Sequence, residues 1–185
     1  MRIIVGLVLG MAILPLIAYW YLTGGSAPVA TTDSDMPFER MIVRKALHAR
    51  LTRDMPKNVP IEANEENYVA GAELYKQHCA VCHGLPLTPK SAIATGMYPI
   101  PPQLLVGKGV TDDPAGESYW KIANGIRLSG MPGFSKSLSQ TQMWQLAILL
   151  ANADKLPAAA KTTLVNSSAP PAASATPNAP SAPTK

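Results

Sequence analysis

Two cysteines and a histidine fall within five consecutive positions, Cys79-Ala80-Val81-Cys82-His83, and these are the only cysteines of the chain. Thiols three positions apart lie on the same side of a helical turn, so both can reach the vinyl groups of one porphyrin. The imidazole that follows can then bind the iron as an axial ligand. The pattern is typical of c-type haem attachment and predicts thioethers at Cys79 and Cys82, with His83 as the proximal ligand.

Other uses of a Cys-x-x-Cys pair agree less well with this chain. A thioredoxin-like redox pair needs no histidine and accompanies a βαβ pattern, which the sequence lacks. A structural zinc site needs four ligands, usually from two such pairs. A structural disulfide beside an incidental histidine remains as the alternative.

The segment from Gly71 to Gly84 resembles the N-terminal helix and haem site of class I c-type cytochromes. In that family a small residue at the place of Gly71 lets the C-terminal helix cross closely, and the aromatic at Tyr75 packs into the same crossing. Asn64 is a suitable N-cap for this helix. The resemblance covers residues 62–157 and implies an all-α cytochrome c fold around one covalent haem c.

The run Gly-Met-Pro-Gly-Phe at residues 130–134 resembles the distal methionine loop of the same family. A thioether is a soft, neutral ligand that favours ferrous iron, so Met131 is the candidate distal ligand. Its rival is Met97, flanked by Gly96 and Pro99. The family does not place its ligand in that part of the chain, which favours Met131.

A proline-rich loop over residues 85–109 separates the two candidate ligand segments. In cytochromes of this kind such a loop covers the haem edge, and a proline carbonyl often accepts the hydrogen bond of the proximal imidazole. Pro86 and Pro89 are the candidates for this acceptor. Leu104 and Leu105 are expected to line the haem crevice.

The last helix of the domain begins with a capping box of Ser139 and Gln142. Its apolar residues recur with helical spacing and form one face. By the resemblance, this face crosses the first helix of the domain, and Trp144 serves that crossing.

Residues 3–22 contain no charged side chain. As a helix this stretch would span about 30 Å, the thickness of a bilayer core. We therefore expect residues 1–23 to form a transmembrane anchor. A cleaved signal peptide is the alternative, although the best small-residue cleavage site is followed directly by Pro28.

Residues 24–61 are predicted to be a spacer with a short basic helix that has Asp35 as N-cap and runs to about Arg53. Residues 39–57 carry a local net charge of +4, equal to the formal net charge of the whole chain. The helix is interpreted as a solvated spacer or as a contact to anionic lipid or an acidic partner. The chain has no nucleic-acid motif. Residues 158–185, rich in Ala, Pro and Ser, are predicted to be a disordered tail.

These features predict a membrane-anchored electron carrier, or a cytochrome subunit of a respiratory chain, rather than an enzyme. Its partners would be a redox protein donor and acceptor. Because haem c is attached outside the cytoplasm, the haem domain is expected on the periplasmic side of a bacterial inner membrane. The alternative is a haem-based sensor or small-ligand-binding protein with a labile distal Met131. Peroxidase-type chemistry is less favoured, since no distal His/Arg pair of suitable spacing is present.

Overall fold

The computed structural model describes residues 2–166, and within this range the chain forms helices and no β-strand. The all-α class predicted from the sequence is therefore confirmed. The helices, in chain order, are α1 (Arg2–Thr23), α2 (Glu39–Asp54), α3 (Glu65–His78), α4 (Ala80–His83), α5 (Ala92–Thr95), α6 (Ala115–Asn124), α7 (Gln140–Ala151) and α8 (Ala158–Val165).

The core of the molecule is built where α7 packs against α3 and α6. Gly71 of α3 makes the first of these contacts close. A Cβ on Gly71 would lie 2.9 Å from the carbonyl carbon of Gln145 and 3.2 Å from Cβ of Leu149. Tyr75, one turn later, is completely buried. The packing roles expected for Gly71 and Tyr75 are confirmed.

Side-chain caps begin both helices of this central crossing. Asn64 accepts a hydrogen bond from the Asn67 backbone N–H at 3.0 Å, which caps α3. Ser139 and Gln142 form both halves of the predicted capping box of α7. Each cap satisfies backbone donors that the first helical turn leaves without a partner, so the helix starts are encoded locally.

The spacer helix α2 lies against the folded domain and is not a freely solvated element, which corrects that interpretation. Leu51 on its last turns is only 3% exposed. The chain that follows passes so close to α6 that a Cβ on Gly116 would lie 3.0 Å from the carbonyl carbon of Pro56. Burial of Leu51 removes apolar area from water and holds this end of the spacer on the domain.

The predicted N-cap at Asp35 is wrong, because α2 begins at Glu39 and Phe38 occupies the N-cap position. Asp35 instead accepts a hydrogen bond from the Tyr98 hydroxyl at 2.5 Å and pairs with Arg40. The hydrogen bond from Tyr98 lowers the pKa of the Asp35 carboxyl. This contact joins the spacer to the proline-rich loop.

Trp144 of α7 has an aromatic partner on α6, which the sequence did not predict. Its ring stacks on Tyr119 of α6, with centroids 4.2 Å apart and ring planes 19° from parallel. Stacked aromatic pairs of this kind add stability beyond their buried area. Trp144 therefore joins α7 to α6, whereas Gly71 and Tyr75 serve the crossing with α3.

The predicted disordered tail begins instead as a helix, which corrects the sequence-based boundary. Residues 158–165 form α8, directly after Pro157, and α8 packs against α3. Ala160 is fully buried and Leu164 is 3% exposed. The prediction of disorder from the Ala/Pro/Ser-rich composition failed here because α3 presents a surface on which Ala160 and Leu164 are buried. The rest of the predicted tail, 167–185, lies outside the described residues.

Replacing Leu164 with alanine tests this packing. We expect a loss of about 2–4 kcal/mol in the free energy of unfolding, because a buried leucine truncated to alanine loses transfer energy and leaves a cavity. Chemical denaturation, monitored by circular dichroism, measures the change in the free energy of unfolding. The control is Val165→Ala at the neighbouring position, where the side chain is 58% exposed. Equal, small effects of both substitutions would contradict the buried position of Leu164.

Among the residues that the structure describes, no helix meets the length and apolarity needed to cross a membrane, a result that does not support the anchor predicted over residues 1–23.

Candidate functional site

The Cys-x-x-Cys-His motif forms a single helical turn at the end of α3. Cys79 ends α3, and its backbone N–H donates to the carbonyl of Tyr75 at 2.9 Å. The same residue precedes α4, where the N–H groups of Cys82 and His83 both donate to its carbonyl, at 3.1 and 2.9 Å. Both cysteines are free thiols, so the alternative of a disulfide between them is not observed. The turn places two thiols and one imidazole together, as covalent haem attachment requires.

A tyrosine from the preceding helix fixes the end of this turn. The hydroxyl of Tyr75 donates to the carbonyl of Gly84 at 2.9 Å. Gly84 has φ 73°, a conformation that glycine adopts without strain and that lets the chain leave the helix here. Tyr75 therefore links the core crossing directly to the residue after His83.

The imidazole of His83 is oriented by a backbone carbonyl from the proline-rich loop. Its Nδ1 lies 2.8 Å from the carbonyl oxygen of Pro102. Because a carbonyl can only accept, Nδ1 carries the proton, and in the neutral ring Nε2 keeps its lone pair for a metal. The acceptor is thus Pro102, and the candidates Pro86 and Pro89 were wrong. The sequence identified the kind of acceptor but not which of several prolines the loop path brings to the ring.

Burial sets the protonation states in the motif. It lowers the pKa of His83, while the hydrogen bond to Pro102 acts in the opposite direction. A neutral imidazole, the form that binds metals, is therefore favoured. Burial also raises the pKa of the Cys79 thiol to about 12, with a further contribution from nearby Cys82. The surroundings of Cys79 are thus apolar, as expected beside a porphyrin face.

The candidate distal loop is held at both ends by backbone hydrogen bonds to α6 and to itself. Ile126 N–H donates to the carbonyl of Met131 at 3.1 Å, and Phe134 N–H donates to Ile122 at 2.9 Å. Inside the loop, the hydroxyl of Ser129 donates to the Ile126 carbonyl and accepts from the Met131 N–H. The backbone of Met131 is therefore fixed before any ligand is considered.

Met131 is half-buried and packs against the central hydrophobic core. Cys79 borders the same core, as do Leu104 and Leu105, the two leucines expected to line the crevice. The four predicted site residues thus come from one turn, which holds Cys79, Cys82 and His83, and from a loop about 50 residues later that packs on the same core. Their donor types fit a covalent haem with sulfur and nitrogen axial ligands.

The structure also places Pro102 and Met97, the rival candidate for the distal ligand, in contact with this region. Pro102 orients His83, as described above. Met97 lies against the distal loop, with its terminal methyl group over Gly130. The sequence did not predict a contact between Met97 and Gly130, because they lie more than 30 positions apart and in two different loops.

Comparison with protein-family models gives one match over this region. Residues 66–150 match the family described as cytochrome c oxidase, cbb3-type, subunit III. No curated protein matches the chain. The matched range runs from the start of α3 to the end of α7 and so contains the haem motif, the proline-rich loop and the distal loop. Residues 66–150 therefore form a c-type cytochrome domain, which implies a covalently attached haem c and a role in electron transfer.

Proposed function

We propose that this protein is a mono-haem electron carrier whose iron is bound axially by His83 and Met131. The observation that carries the proposal is the hydrogen bond from His83 Nδ1 to the Pro102 carbonyl, which directs Nε2 to a metal. Cys79 and Cys82 form the two thioethers. Haem supplies an iron that alternates between the ferric and ferrous states.

The residues around the site keep the cofactor in one coordination state. Pro102 holds the imidazole ring in one orientation, which fixes its tautomer and its basicity. The thioether of Met131 fills the other axial position and stabilises the ferrous state. With both positions occupied by the protein, no substrate binds the iron, and reorganisation on electron transfer stays small.

The test is the optical spectrum of the reduced protein with and without carbon monoxide. A low-spin spectrum that does not change on addition of the gas is expected, because His83 and Met131 close both faces of the haem. A rapid spectral shift would contradict the proposal and support the alternative of a haem-based sensor with a labile distal ligand.

The cysteine assignment predicts how haem attachment responds to substitution. With Cys79→Ala or Cys82→Ala, one thioether remains, so the denatured chain should still carry the mass of one haem. With both replaced, the haem should separate completely on denaturation. Mass spectrometry of the denatured chain measures each case, and Met131→Leu, which leaves both thiols intact, is the control. Covalent haem in the double variant would contradict the assignment.

We further propose that the haem domain works on the periplasmic side of a bacterial inner membrane, with residues 1–23 as a membrane anchor. The support is the uncharged stretch 3–22 and the exposure of large apolar side chains along residues 11–22, with Leu14 71% and Trp20 73% exposed. The basic segment 40–57 would contact anionic lipid or an acidic partner. The matched family is described as an oxidase subunit, which supports a place in a respiratory chain, as a carrier or as a subunit.

Cell fractionation tests the proposed location. Haem-stained protein should remain in the membrane pellet after an alkaline carbonate wash, because that treatment removes peripheral proteins and leaves inserted ones. A variant with Leu14→Arg and Ile17→Arg should move to the supernatant, since charges at a helix centre oppose insertion. Complete release of the unmodified chain would contradict anchoring by residues 1–23.

A further inference from the structure

Met97, which projects from the proline-rich loop, contacts the distal loop at Gly130. A Cβ placed on Gly130 would overlap the terminal methyl of Met97 and lie 3.4 Å from its sulfur. Gly130 immediately precedes Met131. Gly130 is therefore in contact with the side chain of Met97 and is bonded directly to Met131 along the backbone.

The distal loop is exposed at its tip. Its backbone is fixed at residues 126, 131 and 134 by the hydrogen bonds described above, but Leu128 is 85% exposed and Gly130 is also exposed. Leu128 further has φ 60°, a left-handed conformation that is unfavourable for a leucine. This end of the loop buries little apolar surface, so a side chain from another part of the chain that packs on it should increase its stability.

Met97 is placed for this role by its neighbours on both sides. It follows α5, where Ala94 is fully buried and Ser91 caps the helix. It precedes Tyr98, whose hydroxyl is bound to Asp35. An unbranched, polarisable side chain on a backbone held at both sides suits the irregular surface of a glycine-containing loop.

We propose that Met97 is a positioning residue that packs over Gly130 and keeps Met131 on the iron. The inference rests on the proposed function, in which Met131 is the distal ligand. Met97 itself does not bind the iron. Its contact slows dissociation of the Met131 thioether and so keeps outside ligands from the distal face.

The test measures how fast imidazole binds the ferric haem protein, because imidazole must wait for Met131 to leave. Met97→Ala should raise this rate roughly ten-fold, a factor expected when a half-buried side chain loses its packing. Met97→Leu keeps the apolar volume over Gly130, so it should retain the wild-type rate of imidazole binding. Leucine cannot bind iron, so retention of the sulfur-to-iron charge-transfer band in this variant would show that the sulfur ligand is not Met97.

A second pair of variants tests the contact itself. Gly130→Ala should also raise the rate, because the added methyl displaces Met97. Combined with Met97→Ala, it should add nothing further, since the clash needs the methionine. Gly96→Ala is the control. Gly96 lies in the proline-rich loop next to Met97, and a Cβ added there would lie 3.5 Å from its nearest neighbour, the Ala92 carbonyl oxygen.

Three results would overturn the inference. An unchanged rate in Met97→Ala would show that the contact does not hold the loop. Additive effects of Met97→Ala and Gly130→Ala would show that they act separately. Loss of the charge-transfer band in Met97→Leu, with the band retained in Met131→Leu, would make Met97 the ligand and overturn the proposed ligation as well. Failure of the inference alone leaves the band dependent on Met131.

Discussion

Replacing Met131 with alanine should open the distal face of the haem. Alanine cannot bind iron, so under the proposed ligation the reduced variant should bind carbon monoxide, which the unmodified protein should exclude. The reduction potential should also fall, by on the order of 0.1–0.3 V, because the soft thioether that stabilises ferrous iron is lost and axial ligands govern a range of about 0.8 V. Optical spectra with the gas and a potentiometric titration measure the two effects.

Two further substitutions make the result specific to Met131. Met41→Ala removes a thioether from α2 that is 47% exposed, and it should leave both the spectrum and the potential unchanged. Met131→Leu restores apolar bulk without a ligand atom, so it should open the iron as alanine does. If Met131→Leu kept a closed, low-spin haem, the distal assignment would be wrong.

Replacing Gly71 with leucine should have the largest effect on stability. The added side chain would meet the backbone of Gln145 and the Cβ of Leu149, and α3 and α7 would have to separate. Overpacking of this kind typically costs about 1–3 kcal/mol and occasionally more. This is a large part of the roughly 5–15 kcal/mol that stabilises a typical domain. Leucine is a better helix former than glycine, so a loss would come from packing and not from helix propensity.

Chemical denaturation of the haem protein measures this change, and Gln77→Leu provides the matched control. Gln77 lies on the same helix but is exposed, so leucine there should change the free energy of unfolding by less than about 0.5 kcal/mol. A Gly71→Leu protein as stable as the Gln77→Leu protein would mean that the two helices do not cross at this glycine.

Features that depend on neighbours in the chain were predicted from the sequence by itself. The spacing of Cys79, Cys82 and His83 predicted the chemistry of attachment, because one helical turn brings the three side chains together. The caps at Asn64 and Ser139 determined where α3 and α7 begin, since each cap acts within its own first turn. The resemblance to c-type cytochromes then identified the Gly71 crossing, which the structure contains.

Contacts between distant parts of the chain were decided only by the tertiary structure. Pro102 binds His83 because of the path that the loop takes, and nothing in the local sequence distinguishes it from Pro86 or Pro89. Met97 reaches Gly130 only once both loops have packed on the domain. In the same way Leu164 becomes buried only because α3 presents a surface to α8. Local hydrogen bonds and spacing are written into short segments, whereas burial depends on what the rest of the chain places opposite them.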